Sequence, residues 1–220
     1  MIGTRYRMWF VAVAAAIAIG CGEPPGDNDR PEWWDNYVTE VVSFEPGDGA
    51  GYNEGALPDI VFGPPSGHGT TVGSTDVVSL GDGGEIVVGF GDRTVVDGDG
   101  ADFVVFENPF WEENDPQRVW AELGEVAVSQ DGETWHVYEC DYDVDEDPPY
   151  DGCAGWRPTL AFEPEDQVPL DPEVTGGDAF DLADVDIDRA NYVRIRDLWG
   201  EGPAPTRGFD LDAVGLVHAE

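Results

Sequence analysis

The chain has 220 residues, and its 47 Asp and Glu against 10 Lys and Arg give a formal net charge of -37. Every basic residue is Arg, and so strong a negative charge excludes nucleic acid and anionic membrane surfaces as partners, because phosphate contact needs clustered cations. Apolar residues at 41% and aromatics at 11% exclude a disordered acidic tail, which leaves a folded chain whose favoured ligands are cations.

Residues 1–20 carry Arg5 and Arg7 and no acid, then an apolar run over 8–19 that is too short to span a bilayer comfortably. The run ends in Ala18-Ile19-Gly20-Cys21, which resembles a bacterial lipobox. That resemblance implies cleavage before Cys21 and lipid on its thiol and new amino group. Gly22, rather than Asp, follows the lipid site and permits the outer membrane. The alternative is an ordinary signal peptide with a chance Cys. Residues 21–31, the lipidated Cys and the polar Pro/Gly stretch after it, read as a tether. Residues 32–220 read as one domain.

Candidate strands follow at 37–44, 60–62, 75–80, 85–90, 102–106, 124–129, 134–139, 191–197 and 209–218, all short runs of alternating or β-branched residues. Gly-Asp-Gly-Gly at 81–84, Asp-Gly-Asp-Gly at 97–100 and Gln-Asp-Gly-Glu at 130–133 separate them as turns. The last lies between EVAVS and TWHVY and predicts a hairpin. Residues 46–73 and 141–188 look irregular, with a short helix predicted over 178–184. No segment shows a sustained helical period, so the chain predicts an all-β, antiparallel sandwich or barrel with long loops. With Cys21 taken by lipid, Cys140 and Cys153 remain. In an oxidising compartment they predict a disulfide closing a short acidic loop, worth about 3 kcal/mol in the chain-entropy model. The alternative is two free thiols.

Three segments resemble the discoidin-like, galactose-binding-like domains: EVAVSQDGETWHVY at 125–138, ANYVRIR at 190–196 and GFDLDAVGLV at 208–217. Asn191 replaces the Arg usual in the second. The resemblance implies an eight-stranded jelly-roll sandwich with Trp135 packed inside, and often one structural calcium near the chain ends. VVSFEPGDGAGYN, LPDIVFGPP, SLGDGGEIVVGFGD, VDGDGADFVVFENPF, GCAG and GGDAFDLADV also resemble bacterial lipoproteins called cell surface proteins. That group carries no implied activity.

Calcium takes six to eight oxygens from carboxylates, amides and carbonyls on flexible loops. The first candidate set is Asp97, Asp99 and Asp102, followed by Glu107 and Asn108, without the EF-hand pattern. Asp210 and Asp212, alternating with Phe209, Leu211 and Ala213, form a second. A third is Asp141, Asp143 and Asp145. For any one of these acids the plain alternative is a solvated surface charge. Sugars are held by aromatic faces and planar polar groups, which makes Trp111 and Trp199 candidate ligand residues; packing roles would serve them as well. Arg194 and Arg196 share a strand face and either pair with carboxylates or contact ligand. His68, His136 and His218 show no paired metal or triad spacing, and no phosphate-binding motif occurs. The expectation is therefore a non-catalytic lipoprotein, lipid-anchored to the outer membrane and exposed at the cell surface. It would bind a glycan or another extracellular ligand and carry a structural calcium. An envelope adhesion protein or an accessory nutrient-uptake lipoprotein are the rivals, with a hydrolase the remaining one.

Overall fold

A computed structural model describes residues 32–67, 69–141, 149–160, 170–200 and 202–220. The signal and tether, Cys21, His68, Asp143 and Asp145 lie outside the described residues. In chain order the strands are Glu40–Glu45 (β1), Val78–Ser79 (β2), Glu85–Gly89 (β3), Val95–Val96 (β4), Phe103–Phe106 (β5), Phe110–Trp111 (β6), Val119–Trp120 (β7), Gly124–Ser129 (β8), His136–Val137 (β9), Cys153–Ala154 (β10), Asp178–Phe180 (β11), Arg189–Ala190 (β12), Tyr192–Asp197 (β13), Asp210–Leu211 (β14) and Ala213–Leu216 (β15). Among the described residues the one α-helix, Pro172–Thr175, is four residues long. No described helix is long and apolar enough to cross a membrane.

The fold is all-β and antiparallel. One sheet runs β1-β3-β13-β8-β10, with β9 also pairing β8; a second runs β11-β5-β15. Ile86, Val88, Val126, Val128, Val193 and Ile195 of the first sheet meet Phe103, Val105, Phe180, Val214 and Leu216 of the second in one core. Alternation explains which residues reach it. In β13, Val193 and Ile195 are buried while Arg194 is half-buried and Arg196 exposed. β5 breaks the alternation because both its faces are covered. Val104 and Phe106 pack outward on Tyr37, Leu170 and Ala213. Such a continuous apolar run is what a strand buried on both sides requires, and each fully buried side chain contributes about 1.5–3 kcal/mol.

The 130–133 hairpin forms as expected, pairing Ala127 with Val137 and Val128 with His136. Asp131 Oδ1 accepts from the backbone N–H groups of Glu133 and Thr134, which folds the turn onto itself. Cys140 and Cys153 are disulfide-bonded, with Cα atoms 4.5 Å apart. Other expectations need correction. Residues 59–61 form a 3-10 turn, not a strand. The helix expected over 178–184 is a strand, Asp178–Phe180, followed by a 3-10 turn over Leu182–Val185 whose N-cap is Asp181. Trp135 is not core: it is half-exposed, with the Arg194 guanidinium 4.8 Å over its ring. The predicted last strand divides at Asp212 into β14 and β15. Leu211 and Val214 both face the core, so the alternation slips there by one residue.

Candidate functional site

Two ends of the sandwich carry the candidate residues. At one end β5 and β13 finish, β8 starts and β14 runs alongside. Glu107, one residue past β5, is buried there with Glu122, two residues before β8, and Asp210 of β14. Each offers a carboxylate oxygen, and these oxygens lie within 4.8 Å of one another. Glu107 Oε1 accepts from the Asp210 backbone N–H at 3.3 Å, whereas buried Glu107 Oε2 has no hydrogen-bond partner. The Asp210 carboxylate accepts from the Ser79 hydroxyl and from Asn108 Nδ2. Burial, then the charges of Asp210 and Glu122, push the Glu107 carboxyl well above the usual carboxylate range. Burial raises Asp210 to about 6.

Local sequence explains the convergence. Asp197 Oδ1 accepts from Phe209 N–H at 2.8 Å and Oδ2 from Gly83 N–H at 3.0 Å, which brings the start of β14 against the end of β13. Gly208 at φ 73° is required there, since a Cβ would collide with the Asp197 carboxylate. Residues 108–121 leave this cluster at Glu107 and return to it at Glu122, forming the β6–β7 hairpin between. Phe110 and Trp120 pair across that hairpin and stack, with centroids 6.3 Å apart and planes at 12°. Trp120 is 42% exposed, and Trp199, two residues past β13, is 55% exposed. Trp111 is half-buried, with its backbone N–H on Thr70 O.

The other end gathers Asp97, Asp102 and Asp181, whose carboxylate oxygens also lie within 4.8 Å of one another. Here the carboxylates of Asp102 and Asp181 have partners, and Asp97 is exposed. Asp102 Oδ1 accepts from Gly98 N–H and lies 2.8 Å from His218 Nδ1, and its Oδ2 accepts from Leu182 N–H. Asp181 Oδ1 accepts from Ala183 N–H as a helix cap. This cluster fastens three loops to the sandwich. Asp99 is exposed in the neighbouring turn. On the same end, a cleft of about 450 Å³ is lined by Gln130, Asp131, Thr134, His136, Asp186 and Asp188, among others.

The set read from 97–108 is thus split by the length of β5: Asp97, Asp99 and Asp102 go to one end, Glu107 and Asn108 to the other. Asp210 joins Glu107 and Asn108. Asp212 does not; it accepts from Ser66 N–H at 3.0 and 3.1 Å, and burial raises it to about 7. Asp141 is exposed at the disulfide. Trp111 and Trp199 lie on the Glu107 end. Arg194 pairs with Glu85 at 3.7 Å and Glu125 at 3.9 Å on the outer face of the first sheet, and Arg196 lies exposed on that face. Neither Arg reaches the Glu107 cluster or the cleft. Sequence reasoning missed Glu122, Asp181 and Asp178. Glu122 had a local signal, an acid set between Trp120-Ala121 and Leu123 where the chain is otherwise apolar. Asp178 is buried at β11, with Oδ2 accepting from Gly155 and Trp156 N–H and Oδ1 lacking a partner.

No protein family's sequence profile matches the chain, and no curated protein is similar enough to count as a relative.

Proposed function

We propose that this chain is an exported, lipid-anchored binding module of the cell surface. It would be a jelly roll of the galactose-binding-like kind that takes a glycan at the sandwich end bearing the aromatic hairpin, with calcium as its structural ion. The observation that carries this reading is the display of Trp120 and Trp199 at that end, 42% and 55% exposed although Trp is usually well buried. Flat apolar faces beside polar loops suit the hydrophobic face of a sugar ring. The ligand groups on this reading are Trp111, Trp120 and Trp199. Arg194, paired with Glu85 and Glu125, and Arg196, exposed beside it, lie on the outer face of the first sheet and are not part of the ligand end. Cys21 remains the expected anchor. The resemblance of 125–138, 190–196 and 208–217 to discoidin-like domains supports the same reading.

The test is a glycan array probed with the purified protein in calcium, alongside Trp199→Ala and Trp120→Ala. The expected result is a defined glycan class bound by the parent and weakened at least about tenfold by either variant, the scale of one lost aromatic contact. Background signal for every glycan, in calcium and in chelator, refutes the glycan reading.

A further inference from the structure

The cleft at the far end and the Asp97–Asp102–Asp181 cluster carry less than the Glu107 cluster, because their carboxylates are exposed or already accept hydrogen bonds. The Glu107 cluster differs in its burial and in one oxygen, although Glu107 Oε1 and the Asp210 carboxylate do accept hydrogen bonds. Three carboxylates are buried together, and one of their oxygens, Glu107 Oε2, is sealed from water with no donor. A buried acceptor left without a partner is costly, and adjacent buried carboxylates compound the cost. A shared cation removes both costs at once.

We propose that Glu107, Glu122 and Asp210 bind one calcium ion, and that this ion clamps together the two feet of the 108–121 hairpin. Carboxylate oxygens within 4.8 Å of one another fit a common centre, since two ligands about 2.3–2.6 Å from an ion can be separated by up to twice that distance. The cluster is all oxygen, with no His or Cys, which selects a hard cation over zinc or copper. Its burial leaves little room for retained waters, which disfavours magnesium, an ion that dehydrates reluctantly. Asn108 is placed to support the site, donating Nδ2 to Asp210 Oδ2 at 3.3 Å and to Ser74 O at 2.9 Å.

The consequence for the hairpin is geometric. Glu107 immediately precedes residue 108 and Glu122 immediately follows residue 121, so an ion held by both closes the base of the segment that carries Phe110, Trp111 and Trp120. The β6–β7 pairing is only two residues a side. Two-stranded hairpins are marginal alone, so closure at the base decides how well the aromatic face is ordered. The role assigned to the hairpin rests on the binding reading above; the cation site does not.

The experiment is calcium titration calorimetry on the chelator-treated protein, paired with amide hydrogen exchange over 108–121. Expected are saturable binding and slower exchange in 108–121 when calcium is added. Glu122→Gln, nearly isosteric, should weaken calcium at least about tenfold through the lost ligand charge and abolish the exchange response. Asp97→Asn should do neither. If Glu122→Gln does not fold, as judged by its melting in chelator, Glu107→Gln replaces it. The proposal is overturned if millimolar calcium produces no binding heat and no slowing. It is equally overturned if binding survives Glu122→Gln but is lost in Asp97→Asn, which places the ion at the other end. Calcium binding with hairpin protection but no glycan signal would uphold the clamp and refute only the glycan reading.

Discussion

Asp178 makes the sharpest thermodynamic prediction. Its side chain is 2% exposed, Oδ2 accepts from Gly155 N–H at 2.7 Å and Trp156 N–H at 3.2 Å, and Oδ1 has no partner. Burial pushes its carboxyl from 3.8 up to about 7, against the smaller opposing pull of those two N–H groups and of Arg157. A carboxyl whose folded value is raised keeps its proton in the native state where the unfolded chain has already lost it. The native state therefore binds more protons between about pH 4 and pH 7, and stability falls as pH rises through that window. At 1.36 kcal/mol per unit the loss reaches about 4 kcal/mol, an upper bound because structural relaxation around a buried charge reduces it. Above pH 7 both states are ionised and this contribution is flat. Asp178→Asn mimics the protonated acid, keeping an oxygen for Gly155 and Trp156. Urea unfolding at pH 5 and pH 8, disulfide intact, should show the variant gaining on the parent by a few kcal/mol at pH 8 and by much less at pH 5. Parallel pH profiles for the two proteins would refute the reasoning and mean that Asp178 is charged and compensated in the fold.

Two further predictions concern the loops. Replacing Cys140→Ser together with Cys153→Ser opens the loop between them and should lower stability by about 3 kcal/mol, read as a lower urea midpoint that reducing agent reproduces in the parent. Asp102→Ala leaves the N–H groups of Gly98 and Leu182 and the His218 ring without their acceptor. It should cost about 1–3 kcal/mol, the cost of leaving the buried Leu182 donor unmet, while water can reach Gly98 and His218. Thermal melting would register this, and an unchanged midpoint would show that water replaces the carboxylate.

The elements legible in the sequence were those whose signal is local. β3, β8 and β13 are runs of five or six residues with β-branched or alternating side chains, and the Asp131-Gly132 turn carries its own hydrogen-bond logic. The two-residue strands β4, β6, β7, β10 and β12 have no period to detect; they exist because a partner strand lies beside them. The 178–184 segment misleads because Phe180 with Ala183 and Ala179 with Ala183 stand at helical spacing, whereas pairing with β5 decides for strand at Asp178–Phe180. At the candidate site, Glu107, Asn108 and Asp210 were legible as candidate oxygen ligands, yet grouped with residues that the fold places at the other end. Proximity in sequence put Glu107 with Asp102, while the four extended residues of β5 carry them to opposite ends. Glu122 stands 15 positions from Glu107 and 88 from Asp210, so only the closure of the sandwich brings the three together.

The acidity and the glycine content, which look like separate oddities of composition, are joined in the fold. Long Gly-rich loops present backbone N–H groups that no sheet neighbour can satisfy, and buried groups of that kind require acceptors. Asp102 serves Gly98 and Leu182, Asp178 serves Gly155 and Trp156, Asp197 serves Gly83 and Phe209, and Asp212 serves Ser66. These buried acids are fasteners that tie loops to strands, distinct from the solvated majority that sets the net charge. Glu107 departs from the fastener pattern. One of its oxygens serves Asp210 N–H and the other meets no donor, as at Asp178, but its neighbours are two more carboxylates. A loop-tying role accounts for the first oxygen and leaves the second, with its surplus of negative charge, to be explained by a ligand of opposite sign.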